Sequence, residues 1–124
     1  MFIVSDAKTC KWPVKVETAA DNGKTVTQTL TAIFRRIDSE ELEIIQKANP
    51  VDPDASVPVQ QRAVANQFIE LLDGWEGVAD KQRQPIEYSP ELLRALCTGP
   101  DGMAFCHALQ RALVEMRTGI KAKN

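Results

Sequence analysis

The sequence predicts an α+β fold, in which an N-terminal antiparallel β-hairpin or small sheet is followed by about four helices. Two observations lead to this prediction. Apolar and polar residues alternate before residue 36, which is typical of half-buried strands, whereas apolar residues after residue 38 recur at helical spacing. The chain of 124 residues is long enough for one hydrophobic core, so we expect a single domain over 1–124, with a β-ribbon over 1–36 and a helical part over 38–121.

The hairpin is predicted by two alternating stretches, residues 14–17 and 25–34, that flank the turn sequence Asp21-Asn22-Gly23. A three-residue loop pairs Val16 with Gln28 and brings the apolar residues of both strands onto one face. A two-residue turn would place them on opposite faces. We therefore expect the three-residue loop, as a type I turn whose final glycine is left-handed.

The remaining elements are a third strand and the helices. Phe2 and Val4 are candidates for a strand beside the hairpin, because an isolated two-stranded ribbon is only marginally stable in water. Asp38 and Ser89 are expected to cap helices, and Trp75 is expected on the apolar face of the second helix, which stops at the flanking glycines. Helical spacing places the helices near 38–49, 58–73, 90–97 and 102–120.

Composition and charge exclude several classes of function. Fifteen basic and seventeen acidic residues give a net charge of −2, which provides no general attraction for nucleic acid or anionic membranes. The apolar runs are too short for a transmembrane helix, and residues 1–6 lack the features of a signal peptide. Three cysteines without a paired framework fit a reducing compartment. We therefore expect a cytoplasmic protein that binds neither nucleic acid nor membrane.

The sequence contains no recognisable reaction centre. Cys10, Cys97, Cys106 and His107 are residue types that hold zinc, but Cys106 and His107 are adjacent on a predicted helix and no C-x-x-C loop brings two thiolates together. The carboxylates lie mainly at helix starts, where capping and the helix dipole account for them. We therefore expect no catalytic residues, no bound metal, no cofactor and no enzymatic activity, with His107 half-exposed at the surface.

One segment is more specific than the rest, because it places a tryptophan between two glycines and follows it with a polar loop, an aromatic residue and a helix start. This order resembles that of the tail assembly chaperones of long-tailed, siphovirus-like bacteriophages and prophages. The chain departs from the family pattern in the loop 80–84, which lacks the usual glycine, and at Glu87. The residues that match the pattern are Gly74, Trp75, Gly77, Val78, Pro85, Tyr88, Ser89, Glu91 and Leu92.

The resemblance implies a function in tail morphogenesis. Tail assembly chaperones bind the tape measure protein and keep that long helical chain soluble until the tail tube forms around it. In the family a frameshifted longer form recruits the major tail protein, and the chaperone self-associates into a ring or spiral in the host cytoplasm and is missing from the mature virion. We expect the partner-binding residues to be Trp75 and three exposed apolar residues of the last helix, Phe105, Leu109 and Met116, with core packing as the other interpretation of each helix residue.

Alternatives to this interpretation stay open. The chain is also compatible with another phage morphogenesis protein, such as a head-tail joining or tail completion subunit, or with a small host protein-interaction module. Trp75 itself has two interpretations. It fills the core with its indole N–H bonded to a loop carbonyl, or it belongs to a partner-binding groove.

Overall fold

The computed structural model describes residues 1–121 and has the α+β architecture expected from the sequence. A three-stranded antiparallel sheet, with the second strand in the centre, packs against the helices, and a 3₁₀ turn at Asp21–Gly23 connects the first two strands. In chain order the elements are β1 (Thr9–Ala19), β2 (Thr25–Arg35), α1 (Ser39–Ala48), α2 (Val57–Leu71), β3 (Leu72–Glu76), α3 (Pro90–Thr98) and α4 (Gly102–Thr118).

The register of the hairpin is the predicted one. Val16 lies opposite Gln28 across a three-residue loop. The apolar residues Val14, Val16, Leu30, Ala32 and Phe34 are buried, whereas Val26 near the hairpin tip is 46% exposed. The predicted turn type is wrong, because Asn22 (φ 64°) is left-handed as well as Gly23 (φ 73°). Asparagine tolerates this conformation because its short side chain forms local hydrogen bonds, so two consecutive left-handed residues close the loop.

The third strand comes from within the predicted helical part, which corrects two expectations. The second helix ends at Leu71 instead of continuing to residue 73, and Leu72–Glu76 pairs with β2, so Trp75 lies on a strand and not on a helix face. Asp73 and Gly74 are poor helix formers, and the uncovered edge of β2 offers backbone partners that a continued helix could not use. Gly74 also lies against Ile33, where an added Cβ would already be in van der Waals contact.

Phe2 and Val4 do not form the expected strand, because β3 supplies the third strand at the other edge of the hairpin. Their side chains are 91% and 82% exposed, and residues 1–7 lie outside the sheet. Hydrogen bonds from Arg36 tie the chain just after them to the end of β2. The Arg36 N–H donates to the Lys8 carbonyl (2.9 Å), and the Arg36 guanidinium donates to Ser5 Oγ (2.8 Å).

The helices begin and end close to their predicted positions. The Asp38 carboxylate accepts from the Glu41 N–H (2.8 Å), and Ser89 Oγ accepts from the Leu92 N–H (3.1 Å), so both predicted caps are present. Helix α4 ends at Thr118 and is capped by Gly119, which has a φ of 71°. Within residues 1–121 no helix is both long enough and apolar enough to cross a bilayer.

The core lies between the sheet and the helices. Phe34 of β2 meets Phe68 of α2 edge to face, with 6.4 Å between the ring centroids. Leu93 and Leu109, from α3 and α4, are fully buried beside them. At the rim, Arg117 of α4 donates to the carbonyl of Ile37 (2.9 Å), so the last helix is tied to the connection between β2 and α1.

Candidate functional site

Trp75 is the centre of the segment that resembles the phage proteins, and it is a core residue. Its side chain is 7% exposed, and its indole N–H donates to the carbonyl of Ile86 (3.1 Å). The Tyr88 ring meets the indole edge to face, with 5.0 Å between the ring centroids and 89° between the planes. The expected hydrogen bond to a loop carbonyl is therefore present, and the tryptophan connects β3 with the chain that leads into α3.

The Tyr88 hydroxyl at the far end of this pair is buried and has no hydrogen-bond partner among residues 1–121. Burial raises the pKa of Tyr88 above its ordinary value, because the ionised form loses its hydration; the nearby carboxylates of Glu70 and Glu91 act in the same direction and Arg94 in the opposite one. The aromatic ring therefore contributes packing, whereas its hydroxyl is a cost to the fold.

Hydrogen bonds within the loop that follows Trp75 fix the conformation of that loop. Gly77 (φ 81°) turns the chain away from β2, and the Ile86 N–H donates to the Val78 carbonyl (2.8 Å). The Asp80 carboxylate accepts from the N–H groups of Gln82 (2.9 Å) and Gln84 (3.0 Å). Arg83 adopts a left-handed φ of 62° in this loop.

This loop forms one wall of a groove of about 560 Å³, which we call the hairpin-end groove. The apolar face of the hairpin near its tip forms the floor, and the start of α4 with the end of α3 forms the opposite wall. The lining is largely apolar, with two carboxylates at the rim. Its residues are Val16, Thr18, Gln28, Thr29, Leu30, Gly77, Val78, Ala79, Asp80, Leu96, Asp101 and Phe105.

The residues expected to contact a partner are not assembled into one exposed surface. Leu109 is fully buried and Phe105 is 7% exposed, so the expectation that they are exposed is wrong. Both lie on the face of α4 that packs on the sheet, where Phe105 also lines the hairpin-end groove. Met116 is partly buried against the core, and Trp75 is enclosed on β3. The helical spacing of Phe105, Leu109 and Met116 therefore marks the face of α4 that packs on the core, and not the face that is exposed to solvent.

The exposed apolar surface lies on the opposite side of α4. Met103 and Val114 are 52% and 61% exposed, and helical spacing puts them in one row with His107 and Gln110. Val57 of α2, 45% exposed, faces this row across a cavity of about 140 Å³. We call Val57, Met103, His107, Gln110 and Val114 the α2–α4 face. In the sequence, this face could have been recognised from Met103 and Val114, two apolar residues that lie outside the main apolar stripe of α4.

The polar character of the α2–α4 face comes from amides and an imidazole. The residues that line its cavity are apolar, amide-bearing or histidine, and no lysine, arginine, aspartate or glutamate is among them. His107 is exposed here, at the surface where it was expected. A surface of this composition suits the apolar stripe of an amphipathic helix, because no buried charge has to lose its hydration when the two surfaces meet.

The cysteines do not form a metal centre in the part of the chain that the structure describes. Across residues 1–121 no three His, Cys, Asp or Glu side chains are grouped as metal ligands. Cys97 and Cys106 are buried neighbours, and Cys106 Sγ lies 3.6 Å from the Cys97 carbonyl oxygen. The hydrogen bond with Cys106 and burial raise the pKa of Cys97 far above that of a free thiol, so Cys97 has none of the thiolate character of a nucleophile.

Comparisons with known proteins found no relative of this chain. No known family model, no curated protein and no solved structure matches it.

Proposed function

We propose that the chain is a tail assembly chaperone of a siphovirus-like phage or prophage, and that it binds amphipathic helices of the tape measure protein through the α2–α4 face. The observation that carries this proposal is the exposed row Met103, His107, Gln110 and Val114, which lies opposite the buried face of the same helix. The proposed place of action is the host-cell cytoplasm, with the protein absent from the mature virion.

The dimensions of the row support a helical client. Met103 and Val114 are eleven residues apart, which corresponds to about 16 Å along a helix axis or three turns. A client helix that lies along α4 would place apolar residues at the same spacing against the row, while Val57 contacts it from the side. A tape measure protein exposes many such segments, so several copies of the chaperone bind one client.

The chemistry of the face supports a client with many related segments. A methionine and two valines form its apolar part, and the thioether side chain of Met103 adapts to different neighbours more readily than a branched side chain does. The amides of Gln110 and the imidazole of His107 accept or donate hydrogen bonds to polar residues at the edge of the client stripe.

The Trp75 segment supports the proposal in a different way. In this chain the residues that match the family pattern connect β3 to α3 through the Trp75–Ile86 hydrogen bond and the Ser89 cap. They are structural residues, as expected for a motif without chemistry, and they leave the outer helix surfaces free to bind partners.

Binding of labelled tape measure peptides by the full chain tests the proposal. We expect Met103→Asp with Val114→Asp to weaken binding by at least about 10-fold, because two charges would have to lose their hydration at the contact. The matched control is Ile44→Asp on α1, a residue that is 68% exposed outside the face, and we expect a change below about 2-fold. Equal losses in both variants, or none, would contradict the assignment of the face.

A further inference from the structure

Cys97 and Cys106 form a pair of buried thiols at the junction of α3 and α4. Cys97 is 0% exposed and Cys106 is 4% exposed, and both are free thiols. Cys106 Sγ lies 3.6 Å from the Cys97 carbonyl oxygen, and the Cys97 thiol donates a hydrogen bond to Cys106. Two thiols in contact form a disulfide bond when an oxidant removes two electrons, so the pair has the arrangement that such a reaction requires.

The turn between the two helices holds the thiols beside each other. The Gly102 N–H donates to the Gly99 carbonyl (2.9 Å), and Gly102 packs so closely on the Cys97 carbonyl that no Cβ would fit between them. The adjoining ends of α3 and α4 are therefore fixed relative to one another. Rotation of the two cysteine side chains can then bring the sulfurs to the S–S bond length of about 2.0 Å.

The two thiols differ in their access from outside. Cys106 is one of the residues that line the cavity of the α2–α4 face, whereas Cys97 lies behind it and has no exposed surface. The cavity has a volume of about 140 Å³, and a water molecule takes up about 30 Å³ in the liquid, so a molecule with two oxygen atoms, such as hydrogen peroxide, fits inside. An oxidant that enters the cavity therefore meets Cys106 first.

The interaction between the two thiols also favours Cys106 as the reactive one. The hydrogen bond donated by Cys97 lowers the pKa of Cys106, because it stabilises the thiolate, while burial acts in the opposite direction. The same hydrogen bond and burial raise the pKa of Cys97. The thiolate is the form that attacks a peroxide, so Cys106 is the attacking thiol and Cys97 is the thiol that reacts with its product.

We propose that Cys106 and Cys97 are a reversible redox site, in which hydrogen peroxide enters the cavity of the α2–α4 face and oxidises Cys106, and Cys97 then closes a disulfide bond with Cys106. This proposal does not rest on the proposed tail chaperone function.

The reaction has two steps. The Cys106 sulfur attacks one oxygen of the peroxide, an S–O bond forms as the O–O bond breaks, and the departing hydroxide takes up the Cys106 proton as water. The resulting sulfenic acid no longer holds the proton on Cys97, so the Cys97 sulfur attacks the Cys106 sulfur. The S–S bond forms as the S–O bond breaks, and the second hydroxide leaves with the Cys97 proton as water. In total the two thiols lose two electrons and two protons, and the peroxide becomes two water molecules.

Thiol counting in the full-length Cys10→Ser chain tests the proposal, because this variant keeps only the buried pair and the count is insensitive to oxidised methionine. After the folded protein is exposed to hydrogen peroxide, we expect both thiols to be lost together and to return with dithiothreitol. A digest that cleaves before Asp101 should yield two peptides joined through Cys97 and Cys106. The proposal is overturned if both thiols survive, or if thiols are lost without the linked peptides.

Single substitutions in the Cys10→Ser chain distinguish the roles of the two cysteines. We expect Cys97→Ala to accumulate a sulfenic acid at Cys106 that dimedone captures, and Cys106→Ala to lose its remaining thiol at least about 10-fold more slowly. Circular dichroism shows whether each variant is folded. Equal rates of thiol loss would overturn the assignment of Cys106 as the attacking residue. If a variant does not fold, thiol counting in the Cys10→Ser chain still decides whether the disulfide forms.

Two substitutions on α2 test the route of entry. Val57 and Val59 are both 45% exposed, but Val57 lines the cavity and Val59 does not. We expect Val57→Trp to slow disulfide formation by at least about 5-fold, because it fills the cavity, and Val59→Trp to change the rate by less than about 2-fold. Equal effects would overturn entry through this cavity. Peptide binding through Met103 and Val114 is measured separately, so either proposal can fail without the other.

Discussion

The indole N–H of Trp75 donates to the carbonyl of Ile86 across 3.1 Å, and this bond joins the last strand of the sheet to the segment that leads into α3. Ten residues separate the two in the chain, and the backbone contacts of this stretch, such as the Ile86 N–H to the Val78 carbonyl, join loop residues to one another. The bond therefore holds the loop in place as one wall of the hairpin-end groove.

Two substitutions of Trp75 should distinguish the contribution of ring packing to stability from the contribution of the indole hydrogen bond. Trp75→Ala is expected to cost about 3–5 kcal/mol, because it leaves a large cavity and an unpaired carbonyl, and at this chain length it is expected to prevent folding. Trp75→Phe keeps most of the packing and should cost roughly 1–3 kcal/mol. Urea unfolding measures the cost in the phenylalanine variant, and circular dichroism in the absence of urea shows whether the alanine variant folds at all. An alanine variant with an unchanged melting temperature and lost partner binding would place Trp75 at an interface instead of in the core.

Tyr88→Phe should leave the protein as stable as the wild type or increase its stability by up to about 1 kcal/mol. The hydroxyl is buried without a partner among residues 1–121, and the substitution removes its desolvation cost while keeping the edge-to-face contact with Trp75. Urea unfolding at neutral pH provides the measurement, with Tyr88→Ala as the control that removes the ring. A loss of more than about 1 kcal/mol in the phenylalanine variant would show that the hydroxyl has a partner.

The burial of the Tyr88 hydroxyl also predicts how the stability of the protein depends on pH in the alkaline range. Because the pKa of Tyr88 is raised in the folded protein, the unfolded chain loses this proton first, near pH 10, and stability falls as the pH rises from there toward the folded pKa. Below about pH 10 the group is neutral in both states and contributes no pH dependence. Unfolding free energies measured between pH 9 and 11 should therefore fall less steeply for Tyr88→Phe than for the wild type. Equal slopes for the two proteins would contradict a raised pKa of Tyr88 in the folded state.

Arg83→Gly should stabilise the protein by about 0.5–1 kcal/mol. A left-handed conformation costs an arginine about 1–2 kcal/mol, and the extra chain entropy of a glycine offsets about 0.5–1 kcal/mol of the gain. Lys81→Gly is the matched control, because Lys81 lies in the same loop without a positive φ and should lose stability. Thermal unfolding compares the two. If both variants lose stability, the contacts of the Arg83 side chain stabilise the folded protein by more than its left-handed backbone destabilises it.

Much of the fold could be predicted because local signals determine it. The hairpin register follows from the loop length and the apolar alternation, and the caps at Asp38 and Ser89 follow from residue type and position. β3 could not be predicted in this way. Leu71, Leu72 and Trp75 suit either the end of a helix or a short strand, and what decides between them is the edge of β2, about forty residues earlier in the chain.

The candidate site was harder to predict than the fold. Helical spacing identified an apolar stripe on α4, but the stripe of Phe105 and Leu109 is the one that the sheet covers. Met103 and Val114 lie on the opposite side and are fewer, so they resemble the isolated apolar residues that any protein surface carries. Only the packing of α2 beside Met103 shows that the row borders a cavity.

Co-expression with the tape measure protein encoded in the same phage or prophage genome tests the central claim most directly. The measured quantity is the fraction of tape measure protein that remains in the supernatant after lysis and centrifugation. We expect most of the client to be soluble with the wild-type chain and most to be insoluble without it, and Met103→Asp with Val114→Asp should reduce the soluble fraction while Ile44→Asp does not. A tape measure protein that is equally insoluble with and without this chain would contradict the chaperone function.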